Sequence, residues 1–298
     1  MKNICLLFIF FCASTSLFAQ TGRTHLSETI DTTELQLSVL TQDIVKDQNS
    51  SYGKARAVLN WLSNRLDWKA TDYQTRTVNQ ILARGGGNCF ELAKVYMAMI
   101  KSIHLPYRAI AEINLHVYSD ERQKTAEEKV VQVGNRMSVF GRQHNDHRWL
   151  EVLDEETGKW EPVDPSMNVI GTEQWLKARV WFGPRMTIDT SITNDMIVPV
   201  AVFVVDQQQQ LSTDRSRHYL IEAFNQLYQG KLTDLPSWKS WTAQIKQLSP
   251  HVKAAFEGKE NLHLREKDIA KLVKTYQDLK REFIQKNKLL PFNEGISL

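Results

Sequence analysis

The cysteine Cys89 stands directly after three glycines and an asparagine, Gly85-Gly86-Gly87-Asn88. An apolar helical pattern begins at this cysteine, so we expect it at a sharp loop-to-helix junction. A helix N-terminus carries a partial positive charge and unsatisfied N–H groups, and both stabilise a thiolate. The same N–H groups can bind the oxyanion that forms when a thiolate attacks a carbonyl. A phosphate-binding loop is excluded, because the Lys-Ser/Thr ending of that motif is absent.

A thiol nucleophile needs a base and a group that orients the base. His147 begins a strand pattern, and Asp164 lies on the returning strand of a predicted hairpin whose turn is near Gly158. Antiparallel pairing about this turn brings His147 and Asp164 together at the open end of the hairpin. An aspartate beside an imidazole fixes its tautomer and stabilises the imidazolium. The pattern therefore predicts Cys89 as nucleophile, His147 as base and Asp164 as the orienting carboxylate.

Other polar residues compete for these roles. His144 precedes the strand pattern and is interpreted as a loop histidine near the mouth of the site. Glu151 shares a strand face with His147, and we expect it to bond a neighbouring backbone group or an arginine. His104 and His116 are isolated, and nothing at metal-ligand spacing joins them to other ligands. No metal, nucleotide or organic cofactor is expected.

The N-terminal residues have the pattern of an export signal peptide. Lys2 precedes an apolar run that closes at Ala19, a small residue at the expected cut position. We expect residues 1–19 to be removed and the mature chain to be secreted or periplasmic, with no stable membrane span; an uncleaved anchor is the alternative. Of the three cysteines, Cys5 and Cys12 lie in this segment, which leaves one in the mature chain. An odd cysteine in an exported protein is either a reactive thiol or a buried, inert one.

Composition narrows the class of protein. A hydrophobic share of 42% with 24% charged residues is ordinary for a soluble globular chain. The formal net charge of +3 is too small to indicate nucleic-acid binding, and no stretch concentrates Lys and Arg as a basic arm does. Trp238 and Trp241 could be carbohydrate-binding residues, but at helical spacing they are predicted to be core residues.

Hydrophobic periodicity predicts an α+β fold with an antiparallel sheet. Helices are predicted around 35–45, 54–66, 78–83 and 89–103, and strands at 107–113, 147–153, 160–164 and 198–205. Residues 119–134 are charged and predicted to form an excursion between nucleophile and base. After a polar linker at 206–210 the pattern is helical throughout. We therefore divide the mature chain into a catalytic domain, 20–205, and a helical C-terminal extension, 206–298.

Three segments together resemble the core motifs of the transglutaminase-like superfamily, whose fold is that of papain-like cysteine proteases. They are Gly87-Asn88-Cys89-Phe90-Glu91-Leu92-Ala93, His147-Arg148-Trp149-Leu150-Glu151-Val152 and Trp160-Glu161-Pro162-Val163-Asp164-Pro165-Ser166. They occur in the family's order over roughly 51–170. Two positions depart from the pattern: Phe90 stands where many members carry glycine, and Glu91 where they often carry aspartate. Trp68 is the nearest candidate for an upstream oxyanion donor, although core packing is its expected role.

The resemblance implies acyl transfer from a peptide or glutamine amide through a thioester at Cys89. Water would resolve the thioester by hydrolysis, and an amine would resolve it by forming a crosslink; hydrolysis is slightly favoured. The expected partner is a protein or peptide substrate and not a nucleic acid. The alternative is a catalytically silent binding module for envelope proteins or glycans, and the lone cysteine retained in an oxidising compartment weighs against it.

Overall fold

The protein was analysed as a computed structural model. It describes residues 34–70, 72, 74–114, 128, 146–183, 199–206, 210–257, 259–260 and 262–287. The export segment, His116, His144 and the predicted excursion at 119–134, apart from position 128, lie outside these residues. Within the described part of the chain, no helix is both long and apolar enough to cross a membrane.

In the described part of the chain, four helices precede the sheet, close to the positions that periodicity predicts. They are α1 (Glu34–Val45), α2 (Ser51–Ser63), α3 (Val78–Arg84) and α4 (Cys89–Ser102). Helix α2 begins at the N-cap Ser50, whose side chain accepts a hydrogen bond from the Gly53 N–H. Helix α3 ends at Gly85, which adopts the left-handed conformation that suits glycine (φ 67°).

A six-stranded antiparallel sheet forms the centre of the molecule. Its strands are β3 (Tyr107–Asn114), β4 (Asp146–Asp154), β5 (Lys159–Asp164), β6 (Val169–Ile170), β7 (Pro199–Val205) and β8 (Leu211–Asp214). Their spatial order is β6-β5-β4-β3-β7-β8. The predicted hairpin is present as β4 and β5, with Leu150 opposite Val163 and the turn at Gly158.

The two faces of this sheet are covered by different helices. Along β4, Leu150 and Val152 pack into a core with α1, α2 and α4, whereas Trp149 points into a second core on the opposite face. The remaining helices belong to that second core: α5 (Thr172–Arg179), a π-helical turn (His218–Ala223) continuing into α6 (Phe224–Leu227), α7 (Trp238–Phe256) and α8 (Glu266–Lys286). Short 3₁₀ turns lie at Lys231–Asp234 and Leu262–Arg265. Trp238 and Trp241 are buried there, as core residues.

Strand β8 lies inside the segment that the sequence pattern predicts to be helical throughout, and in this respect the prediction was wrong. Only Leu211 of its four residues is buried. The strand pairs with the edge of β7, which supplies hydrogen-bonding groups that the pattern of Leu211–Asp214 does not reveal. The proposed domain boundary at 205/206 stays a prediction; this pairing crosses it.

A second, two-stranded parallel sheet holds the loop that precedes α4. Strand β1 (Asp67–Trp68) pairs with β2 (Gly86–Gly87), residue for residue. Gly86 has φ 146°, and a Cβ atom there would lie 2.0 Å from the Asp67 carbonyl oxygen. Both the backbone angle and the close approach require glycine. The backbone pairing of β1 with β2 thus fixes the position of the loop that leads into Cys89.

We predict that Gly86→Ala lowers the free energy of unfolding by about 3 kcal/mol or more, because it adds backbone strain and a steric clash with Asp67. Gly158→Ala is the matched control: its φ is also positive (69°), but nothing lies within 4 Å of the added Cβ. Strain alone should cost this control about 1 kcal/mol. Urea denaturation of both variants measures the difference, and equal losses would show that the contact with Asp67 is unimportant.

Candidate active site

Cys89 is the first residue of α4, and a reciprocal capping box fixes the start of that helix. The Asn88 side chain accepts a hydrogen bond from the Glu91 N–H (3.0 Å), and Glu91 Oε2 accepts one from the Asn88 N–H (3.1 Å). This geometry satisfies two of the N–H groups that a helix leaves unpaired at its start. Cys89 itself is 7% exposed. The sulfur therefore lies at the positive end of the helix dipole, as predicted from the sequence.

Glu91, the departure from the family pattern, anchors this cap to the preceding loop. Its carboxylate is bound by Arg76 Nη1 (2.9 Å) and by Arg84 Nη1 (3.2 Å). A Cβ atom at Gly87 would lie 2.5 Å from the Glu91 Cβ, so the glycine allows the carboxylate to fold back over the loop. Glu91 thus helps to fix the start of the helix.

His147 and Asp164 are in contact at the open end of the β4–β5 hairpin. His147 Nε2 lies 2.6 Å from Asp164 Oδ2. Both residues are buried, Asp164 completely. The second carboxylate oxygen, Asp164 Oδ1, accepts hydrogen bonds from the N–H (3.1 Å) and the hydroxyl (2.7 Å) of Ser166. Both oxygens of the buried Asp164 are therefore engaged, one of them by the imidazole.

The contact between His147 and Asp164 is an ion pair. Burial acts to lower the pKa of His147, but the charge of Asp164 and that of a Cys89 thiolate outweigh it and raise the pKa to about 10. Burial acts to raise the pKa of Asp164, yet the imidazolium and the hydrogen bond from it hold that pKa below its usual value. An imidazolium and a carboxylate are thus the favoured forms at neutral pH.

Two further charged residues join this pair, and neither belongs to the three sequence motifs. Arg179, at the end of α5, places Nη2 3.5 Å from Asp164 Oδ2 and Nε 3.1 Å from Glu112 Oε1. Glu112 lies opposite His147 in the β3–β4 register and accepts a hydrogen bond from Trp149 Nε1 (2.9 Å). Burial raises the pKa of Glu112, and the charge of Arg179 opposes that rise. The charged cluster therefore extends from β5 through α5 to β3.

A sequence signal for these two residues exists. Glu112 interrupts an otherwise apolar strand pattern, Ile110-Ala111-Glu112-Ile113, and Arg179 lies between the apolar neighbours Ala178 and Val180. A charged residue that must be buried needs a partner of opposite charge. Glu112 and Arg179 could therefore each have been recognised as one member of a buried ion pair, although the sequence does not identify the partner of either.

Two of the competing residues, His104 and Glu151, lie in the described part of the chain. His104 is exposed, in a left-handed conformation after α4. Glu151 is fully buried and bound by Arg215 Nε (3.0 Å) and the Tyr219 hydroxyl (2.7 Å), in agreement with the expectation of an arginine partner. Trp68 packs against the core of the α1–α4 face. Among the described residues, no group of three His, Cys, Asp or Glu is arranged to hold a metal ion.

A profile of the transglutaminase-like superfamily matches residues 38–165, a range that includes Cys89, His147 and Asp164. No curated protein matches the sequence.

Several solved structures resemble parts of the chain at low identity. A proposed cysteine protease from Cytophaga hutchinsonii is 14% identical, with 46% of this chain and 38% of that chain covered and a TM-score of 0.32. A proposed protease from Parabacteroides distasonis is 13% identical, with 46% and 24% covered and a TM-score of 0.32. Rad4–Rad23 bound to a 6-4 photoproduct UV lesion is 12% identical, with 91% and 56% covered and a TM-score of 0.35. The chain spans less than two thirds of the length of each.

The match covers the three motifs, the helix that begins at Cys89 and the hairpin that joins His147 to Asp164. Residues 38–165 of this chain are therefore similar to the transglutaminase-like superfamily.

Proposed function

We propose that this chain is an exported thiol enzyme that transfers an acyl group from a peptide or glutamine amide through a thioester at Cys89. The observation that carries the proposal is the buried contact between His147 and Asp164, 2.6 Å long, within electrostatic reach of a cysteine at a helix N-terminus. A buried ion pair is costly to maintain and is often neutral or unfavourable for stability. Its position beside a thiol is the pattern expected of a catalytic site.

Each residue has a role in the proposed reaction. Asp164 occupies Nε2 of His147, so Nδ1 is the ring nitrogen left to exchange a proton with Cys89. The Cys89 thiolate attacks the amide carbonyl, and the free N–H groups at the start of α4 stabilise the oxyanion. His147 then gives its proton to the leaving amine, and the thioester remains. A second nucleophile, water or an amine, releases the acyl group with His147 acting as the base.

Hydrolysis is the outcome we favour over crosslinking. Water is present at high concentration, so a transferase must shield its thioester and provide a site for the incoming amine. The sequence has no recognisable feature of a binding site for the incoming amine. The substrate class is accordingly a protein or peptide whose amide is cleaved or deamidated.

A catalytically silent binding module is the second candidate. The observation in its favour is the low exposure of Cys89, which is only 7% exposed, because buried thiols are commonly inert. Loss of function on removing the thiol separates this candidate from the enzyme.

We predict that Cys89→Ala and His147→Ala each abolish turnover of a peptide amide substrate while leaving the fold intact. Asp164→Asn should reduce turnover by about 10⁴-fold, since an amide can hold the imidazole in the wrong tautomer. His144→Ala is the matched histidine control and should keep most activity. Single-turnover kinetics and circular dichroism on all four variants provide the measurement. If His144→Ala lost as much activity as His147→Ala, the assignment of His147 as the base would be wrong.

We predict that the acyl-enzyme formed from a glutamine-containing donor is resolved mainly by water. The experiment adds a labelled primary amine at millimolar concentration and measures free acid and amine adduct by mass spectrometry. Cys89→Ala is the control for uncatalysed exchange. If the amine adduct formed in stoichiometric amount with little free acid, the preference for hydrolysis would be wrong and the enzyme would be a transamidase.

We predict cleavage after Ala19, because the apolar run ends there in Leu17-Phe18-Ala19. Intact-mass measurement of the exported protein should give a chain beginning at Gln20. A mass that includes Lys2 would indicate an uncleaved anchor.

A further inference from the structure

The guanidinium of Arg179 is buried, and the proposed reaction gives it no role. We propose that Arg179 is a positioning residue that serves as the permanent counter-ion of Asp164, held in place by Glu112. This inference rests on the proposed function, because it concerns what Asp164 needs while His147 changes its charge.

The geometry of α5 places Arg179 where such a counter-ion must lie. Trp175 packs on Trp149 of β4, with ring centroids 5.1 Å apart, and so docks the helix on the sheet. Residues four apart share a helix face, so Arg179 is directed towards the same strands as Trp175. Its side chain is 1% exposed and spans two carboxylates, those of Asp164 and Glu112. Glu112 is in turn held by the indole N–H of Trp149.

The need for this cation follows from the charge changes in the reaction. At rest, the imidazolium of His147 balances the fully buried Asp164 carboxylate. When His147 gives its proton to a leaving amine, that balance is lost and the carboxylate would remain as an isolated buried charge. Such a charge is strongly unfavourable and would draw the proton back. A guanidinium 3.5 Å from Asp164 Oδ2 removes this penalty, because arginine stays protonated throughout.

Among the described residues, charged or titratable groups on four surrounding elements act on His147. They are Cys89 from α4, Glu112 from β3, Asp164 from β5 and Arg179 from α5. Asp164 and a Cys89 thiolate stabilise the imidazolium, whereas Arg179 opposes it and lowers the pKa of His147. Without Arg179 the imidazolium would hold its proton more tightly and would be a weaker general acid.

The test uses alkylation of Cys89 by iodoacetamide between pH 5 and 11 and therefore needs no knowledge of the substrate. In the wild type, the rate should rise once as the thiolate–imidazolium pair forms and again as His147 loses its proton. Arg179→Gln removes the charge but keeps an N–H donor, and we expect the upper transition to move up by about one pH unit. Arg179→Lys keeps the charge and should leave that transition in place.

Arg215→Gln is the matched control, because Arg215 is likewise an arginine that pairs with a buried carboxylate, that of Glu151 farther along β4. Its loss should lower the melting temperature without moving the alkylation profile. If Arg179→Gln does not fold, the double variant Arg179→Gln/Glu112→Gln removes opposite charges together. The double variant should show the same upward direction with a smaller shift.

The possible results separate the inference from the proposed function. A wild type that reacts in one step near pH 8.5, like an ordinary thiol, would contradict the thiol enzyme itself. If the alkylation rate of the wild type rises in two steps but the upper transition in Arg179→Gln is unchanged or shifted down, only the counter-ion role of Arg179 is overturned. An equal shift in Arg215→Gln would also overturn it, since the effect would then be a general loss of stability.

Discussion

The contact between His147 and Asp164 is the constraint on which the described site depends. A charged pair enclosed by protein keeps its energy only if both partners are held at hydrogen-bond distance, and here that distance is set by the register of β4 and β5. A slip of one residue would turn His147 to the opposite face of the sheet. The hairpin is thus more than a connection, because its turn at Gly158 determines which side chains meet at its open end.

The sheet also separates two tasks. The face that carries Leu150 and Val152 packs on α4 and thereby fixes the helix whose first residue is Cys89. The face that carries Trp149 packs on α5 and the C-terminal helices, and it encloses the charges around His147. Cys89 and His147 are therefore supported from opposite sides of the sheet. The C-terminal helices share the core that buries His147 and its partners.

Much of this arrangement could be predicted from local patterns. Helices α2 and α4 follow from apolar spacing, and the hairpin follows from two strand patterns around a glycine turn. Strands β6 and β8 could not be predicted in the same way, because two or four residues carry too little periodicity and take their conformation from a neighbouring strand. Arg179 was missed because an arginine at a helix end is expected at the surface. Its apolar neighbours Ala178 and Val180 hint at burial, and the packing of Trp175 on Trp149 shows that this end of the helix is buried.

The short outer strands have a consequence for behaviour in solution. The sheet ends in β6, with two residues, and in β8, with four, of which Ser212, Thr213 and Asp214 are exposed. Long, flat, apolar edges are templates for intermolecular strand pairing, whereas short polar edges discourage it. In the described part of the chain, the apolar central strands β3 and β7 are each flanked by partners on both sides. The architecture thus protects its most aggregation-prone sequences by their place in the strand order.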